Sequence, residues 1–230
     1  MTRPVVPLTI AGSDPTGGAG LGADLKVFLR FGLSGAAVPT AWTAQGPSGV
    51  AAVEALSGRA VSEQLATLLR DVRPAAVKVG LLPNGEVVRA VARALSPLAR
   101  RGIPIVIDPV LASSSGRRFL PEEDVPTFLR QLVPLATLIT PNQDEAAELA
   151  GVDVSEVRKD PEPVVRALLR HGCKRVLVKG GHGAGQEAVD VLGSKEELVL
   201  YSLPRIPRRR AVHGTGCALS AAIAALLAQG

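Results

Sequence analysis

Aromatic rings are scarce in this sequence: four phenylalanines, one tyrosine and one tryptophan among 230 residues. The interior must therefore be built from Ala, Val, Leu and Ile, which suits helices packed on a parallel sheet. The same scarcity leaves few rings on which nucleic-acid bases could stack. Only two cysteines occur, Cys173 and Cys217, so a disulfide framework is excluded. There is no apolar run long enough for a membrane helix, and no charged start followed by an apolar stretch, so neither a membrane partner nor a secretory signal is expected. A cytoplasmic enzyme or binding protein is the default. No Gly-Lys dipeptide followed by Ser or Thr is present, which excludes a Walker A loop. Repeats, low-complexity segments and linkers are also missing, so residues 1–230 are expected to form a single domain around one core.

The formal net charge is +5, but the basic residues are scattered, which argues against a nucleic-acid partner. The one tight cluster is Arg205 with Arg208, Arg209 and Arg210. It reads either as a solvated loop or as an electropositive rim that draws in a phosphorylated ligand.

Short apolar runs alternate with helical patterns, as in an α/β sheet. Pro7 to Ala11 predicts a first strand, followed by a glycine-rich loop from Gly12 to Gly22 and a helix from Ala23 to Phe31. Leu65, Leu68, Leu69 and Val72 keep helical spacing, as do Val87, Val91, Leu95 and Leu98. Strands are expected at Ala75 to Val79, Ile103 to Ile107, Thr137 to Thr140 and Arg175 to Lys179. A helix between the last two begins at Pro161, where Asp160 can cap and proline suits the first turn.

In such sheets ligands bind beyond the carboxyl ends of the strands. The marked residues fall there: Gly12, Ser13 and Asp14; Gly80; Asp108, Pro109 and Val110; Thr140, Pro141 and Asn142; and Lys179, Gly180 and Gly181. Gly18, Gly20 and Ala23 match a dinucleotide fingerprint, yet the acidic residue expected about 20 positions on is missing. A second glycine turn, His213, Gly214, Thr215, Gly216 and Cys217, runs into an alanine-rich helix. Its amides and the helix start form an anion site with Cys217 at its mouth. A thiol at a helix N-terminus is expected to have a lowered pKa and so to serve as a base near neutral pH. The alternative is a glycine turn before a core helix with a small buried cysteine.

The ordered set LTIAGSDPTGGAGLGADLK from Leu8 to Lys26, TAQ at Thr43 to Gln45, KVG at Lys78 to Gly80, DPV at Asp108 to Val110, TPN at Thr140 to Asn142, KGGH at Lys179 to His182 and HGTGC resembles the hydroxymethylpyrimidine and phosphomethylpyrimidine kinases of thiamine biosynthesis. The resemblance spans nearly the whole chain. It implies a ribokinase-like three-layer α/β/α sandwich with a mostly parallel central sheet. It also implies transfer of the ATP γ-phosphate to 4-amino-5-hydroxymethyl-2-methylpyrimidine and then to its monophosphate. In that role Gly214, Thr215 and Gly216 would stabilise the transferring group and Cys217 would take the proton of the attacking hydroxyl.

By the same resemblance Gln45 and Asp24 would bind the pyrimidine, with Gly12 and Ala19 of the first loop beside it and Val110 along the ring face. Asp108, Asn142 and Lys179 would meet ATP, and Asp108 and Glu145 would hold Mg²⁺, which takes one or two carboxylates alongside a nucleotide. Asn142 followed by Glu145 is equally the signature of a helix start. His182 and His213 do not make a zinc site. Departures from the family are Ala211 and Val212 where Asn and Thr are usual, and Leu81 where Met is common. The sequence ends at Gly230, without the family's usual C-terminal extension. Such kinases are commonly homodimers. A pyridoxal kinase of the same fold, a short nucleotide-binding protein with little catalysis and, more distantly, a dinucleotide oxidoreductase are the competing readings.

Overall fold

The computed structural model describes residues 4–46, 48–113, 115–181, 186–205 and 214–230. His182, Arg208, Arg209, Arg210, Ala211, Val212 and His213 lie outside the described residues.

Short buried strands alternate with helices. The order is β1 (Pro7–Ser13), α1 (Gly20–Arg30), β2 (Ala36–Gly46), β3 (Gly49–Ala55), α2 (Gly58–Asp71), β4 (Ala76–Val79), α3 (Gly85–Arg100), β5 (Ile105–Ile107) and α4 (Val125–Gln131). It continues through β6 (Leu138–Ile139), α5 (Gln143–Ala150), α6 (Val154–Lys159), α7 (Glu162–Leu169), β7 (Val176–Val178), β8 (Glu187–Gly193), β9 (Leu198–Pro204) and α8 (Thr215–Gln229). Among the described residues the strands form one sheet in the order β3, β2, β1, β4, β5, β6, β7, β8, β9. The run from β2 to β7 is parallel, while β3 pairs antiparallel with β2, and β8 and β9 close the other edge antiparallel. The expected three layers are therefore present, with antiparallel edges that the sequence did not announce.

Alternation along a strand sends successive side chains to opposite faces. Ile105 and Ile107 join a large core with Val61, Leu65, Val91, Leu95 and Leu168 of α2, α3 and α7. Val106 between them joins a smaller core with Phe28 of α1 and Ala221, Ala224 and Ala225 of α8. The alanines of α8 present a smooth surface, which lets that helix lie close to α1 and the sheet.

The helix starts follow local chemistry. Asn84 caps α3 by accepting from the Val87 N–H at 2.9 Å, and Asp160 accepts from the Glu162 N–H at 3.0 Å at the start of α7, as its sequence suggested. Helix α1 begins three residues earlier than expected, at Gly20, so the first loop is shorter and its glycines sit at the helix mouth.

Candidate active site

The loops that follow β1, β4, β5, β6 and β7 converge at one end of the sheet around a cavity of about 360 Å³. The start of α8 and the inner face of β2 close it, bringing in Cys217 and Gln45. All the strand-end loops singled out from the sequence contribute, through Gly12, Leu81, Asp108, Asn142 and Gly181 among others.

The first loop is organised by Asp14. Its carboxylate accepts from the Thr16 N–H at 2.9 Å and from the Ala19 N–H at 3.0 Å, which folds the backbone between them into a tight turn. Ala19 and Gly12 both line the cavity. Gly214, the cap of α8, adopts φ +83, and a Cβ there would collide with the Gly18 carbonyl oxygen. The two glycine turns thus interlock, and only glycine satisfies both the left-handed backbone and the close approach.

Gln45, on β2, lies half-buried on the cavity wall, with its side-chain oxygen 3.2 Å from the Thr43 hydroxyl. Thr43 also donates to the Ser13 carbonyl at 2.9 Å, tying β2 to the end of β1. An apolar wall completes this side: Leu81 and Phe119 form a cluster with Ala41, and Val110 packs on it. Phe119 was not foreseen, because it comes from a loop outside every marked motif.

Asp24 is placed differently from expectation. It lies within α1 on the face pressed to the sheet, fully buried, and it does not line the cavity. Its carboxylate accepts from the Thr9 hydroxyl at 2.6 Å and pairs with the Lys78 ammonium at 2.8 Å. Nor does it cap the helix. The group that reaches the cavity from this pair is Lys78, which sequence reasoning passed over. The signal was available: a lysine in the middle of an otherwise apolar strand, Ala76–Val79.

A second ion pair lies across the cavity. Lys179 stands 2.8 Å from Asp108, and the Thr140 hydroxyl is 3.3 Å from the same carboxylate oxygen. Burial pushes the Asp108 carboxyl up, but Lys179 and Lys78 outweigh it and hold the group below its usual range. Burial likewise opposes charge on Lys179, while Asp108 and Glu145 leave its pKa raised. Asn142 and Glu145 form a complete capping box at the start of α5, with reciprocal bonds of 2.9 and 2.7 Å, and both also line the cavity. Burial raises the Glu145 carboxyl to about 8 against the opposing effect of Lys179.

Cys217 occupies the first turn of α8, half-buried on the cavity. Here the expectation of a lowered pKa fails. Burial pushes the thiol up, and the nearby Lys78 ammonium and the Gly20 N–H only partly offset it. Desolvation of the thiolate is the largest influence on this group. Arg205, one member of the basic cluster, is also spoken for: it donates to the carbonyls of Gly181 at 2.7 Å and Glu187 at 3.1 Å, clamping the turn after β7 to β8. The same turn is fixed by Asp190, which accepts from the Gly180 N–H at 2.8 Å.

Phosphoryl transfer asks mainly for positioning and for donors around a charged group. A glycine turn at a helix start, two ammonium groups and an apolar wall share one cavity at the strand ends of a three-layer sandwich, and the class that this fold and site define is the ribokinase-like small-molecule kinases. A family model described as phosphomethylpyrimidine kinase matches residues 14–230. A hydroxymethylpyrimidine/phosphomethylpyrimidine kinase of Rhizobium meliloti (strain 1021) is 43% identical over 225 residues, covering 98% of this chain and 83% of its own length. The Escherichia coli (strain K12) protein of the same name is 41% identical over 219 residues, covering 95% and 81%. Among solved structures, the phosphomethylpyrimidine kinase of Clostridium difficile 630 superposes with a TM-score of 0.80 at 38% identity over 98% of this chain and 91% of its own. The ADP complex of Bacillus subtilis pyridoxal kinase gives 0.87 at 33% identity, over 99% and 85%. The chain belongs to the hydroxymethylpyrimidine/phosphomethylpyrimidine kinase family, whose members are phosphotransferases. No described helix is long and apolar enough to cross a membrane.

Proposed function

We propose that this chain transfers the γ-phosphate of ATP to the hydroxymethyl group of 4-amino-5-hydroxymethyl-2-methylpyrimidine, and then a second phosphate to the monophosphate so formed. The observation that carries this reading is the meeting of Gln45, the Gly214–Thr215–Gly216 turn and Cys217 on one cavity. The ring lies against Val110, Leu81 and Phe119, and the Gln45 amide, both donor and acceptor, reads its polar edge. Gly12 and Ala19 fill out the wall beside it. Amides of Gly214, Thr215 and Gly216 meet the oxygens of the transferring group, where charge is spread in the transition state.

In the first transfer the hydroxymethyl oxygen forms a bond to the γ-phosphorus as the bond to the ADP oxygen breaks. The hydroxyl proton passes to the Cys217 sulfur, which must be a thiolate to receive it. Because burial keeps this group a thiol at neutral pH, turnover of the hydroxymethyl substrate rises with pH as the thiolate fraction grows. The second transfer differs. A phosphate monoester has its second pKa near ~6, so its oxygen arrives largely without a proton and needs the base far less.

Lys179 and Asn142 lie toward the ATP phosphates. Asp108 and Glu145, both facing the cavity, would hold Mg²⁺, for which one or two carboxylates suffice: Asp108 is ionised at neutral pH, whereas Glu145, raised to about 8 by burial, would serve as a ligand on giving up its proton. When bound, the metal neutralises phosphate charge.

A cytoplasmic homodimer built from a single kinase domain per chain completes the reading. Exposed Leu200, Tyr201 and Leu203 on β9, with Leu226 on α8, offer apolar surface for a second copy. Pyridoxal is the second candidate acceptor, on the likeness to a pyridoxal kinase fold. ADP release from Mg-ATP with the pyrimidine, its monophosphate and pyridoxal as competing acceptors tests the assignment: preference for pyridoxal rejects it.

A further inference from the structure

A lysine with no exposed side-chain surface is an unusual occupant of a central strand. Lys78 sits in β4 with Val77 and Val79 turned to the large core, so its own side chain goes to the other face, under α1 and α8. There its ammonium meets Asp24 at 2.8 Å, and Asp24 is steadied by Thr9. The fit is close: a Cβ at Gly80 would stand 2.7 Å from the Lys78 nitrogen. The second Asp24 oxygen is buried without a hydrogen-bond partner, so the pair is not an optimised structural network. Buried pairs of this kind are commonly no more stabilising than apolar residues of similar size. Retaining one here calls for another use, and the place suggests it: Lys78 and Cys217 line the same cavity.

We propose that Lys78 is a positioning residue for the reaction: held in place by Asp24, it keeps a positive charge beside the Cys217 sulfur and so favours the thiolate that receives the substrate proton. The charged groups around that sulfur are Lys78 from β4, Asp24 from α1, Asp108 beyond β5 and Lys179 beyond β7. Asp108, 2.8 Å from Lys179, and then Asp24 are the acidic groups that disfavour the thiolate. Lys78 exerts the largest opposing influence on the burial that disfavours the thiolate. This inference rests on the assignment of Cys217 as the base, but its test does not depend on catalysis.

The experiment follows alkylation of Cys217 by iodoacetamide across pH, read by mass spectrometry of the Cys217 peptide, in the wild type, in Lys78→Met and in the doubly substituted Asp24→Leu, Lys78→Met protein. Removing a positive charge close to a thiolate raises the midpoint, by roughly one to three pH units for a near neighbour. The double variant leaves no uncompensated buried charge, so it folds even where the single one does not. Its midpoint is expected to stay above wild type, by less than in Lys78→Met alone, since the influence of Lys78 on the thiol is larger than the opposing one of Asp24. A folded double variant with the wild-type midpoint overturns the proposal and leaves the pair a structural filler. Failure of the base assignment is seen separately, as undiminished turnover of the hydroxymethyl substrate by Cys217→Ala.

Discussion

Gly214 backs directly onto the carbonyl of Gly18, although 195 residues separate them in the chain, and any Cβ at Gly214 would overlap that oxygen. The start of α8 is thereby locked to the first glycine turn. Gly214→Ala must also hold a left-handed φ of +83. The expected outcome is a loss of stability of about 1–3 kcal/mol, with a larger loss of turnover because the amides move. Thermal unfolding beside steady-state kinetics checks it, and unchanged values for both reject the interlock.

Gln45 faces the cavity from the end of β2 and is not among the core residues. Gln45→Ala should leave Tm nearly unchanged and raise the KM for the pyrimidine roughly three- to tenfold, the worth of one or two hydrogen bonds. An effect confined to the KM for ATP would move Gln45 away from the acceptor.

The Asp24 and Lys78 pair answers to a different measurement. Asp24→Ala leaves the Lys78 ammonium buried and unpaired, which costs about 3–5 kcal/mol. Urea unfolding should show that fall even though Asp24 lies outside the cavity. A change below 0.5 kcal/mol would mean that water reaches Lys78.

Cys173 supplies a pH test. It is buried at the foot of β7, its thiol lies 3.6 Å from the Leu168 carbonyl, and burial pushes its pKa up to about 11. The folded state therefore holds this proton more tightly than the unfolded chain does. Its contribution to stability is fully present below pH ~9 and disappears as pH rises toward 11. Cys173→Ala should flatten the fall in Tm over that window relative to wild type. Native alkylation at pH 8 should modify Cys217 and spare Cys173; equal modification of both rejects the burial argument.

Much of this layout was readable beforehand. The buried parallel strands announce themselves as short apolar runs, and the glycine and proline residues at their ends mark the edge where ligands bind. Strands β2 and β3 were hidden because Ala36–Gly46 contains Pro39 and small residues, while Gly49–Ala55 is nearly all Ala, Val and Gly, with little alternation. Strands β8 and β9 form an exposed edge hairpin that lacks a buried-strand signature. The site residues that escaped notice depend on tertiary placement. Phe119 reaches the cavity from an irregular loop and Lys78 from the middle of an apolar strand, and Asp24, expected beside the pyrimidine, is drawn inward by that lysine 54 positions away. The lowered thiol pKa expected of Cys217 considered the helix end alone, whereas burial of the sulfur pushes the thiol up.

The most direct test of the account is ADP release from Mg-ATP by the purified protein with each pyrimidine, in the wild type and in Cys217→Ala. The account predicts turnover of both acceptors by the wild type, and a loss of roughly 10²–10⁴ for the hydroxymethyl compound in the folded variant, with a much smaller loss for its monophosphate. Equal, near-normal rates in Cys217→Ala, or ATP binding without ADP formation by the wild type, would contradict it.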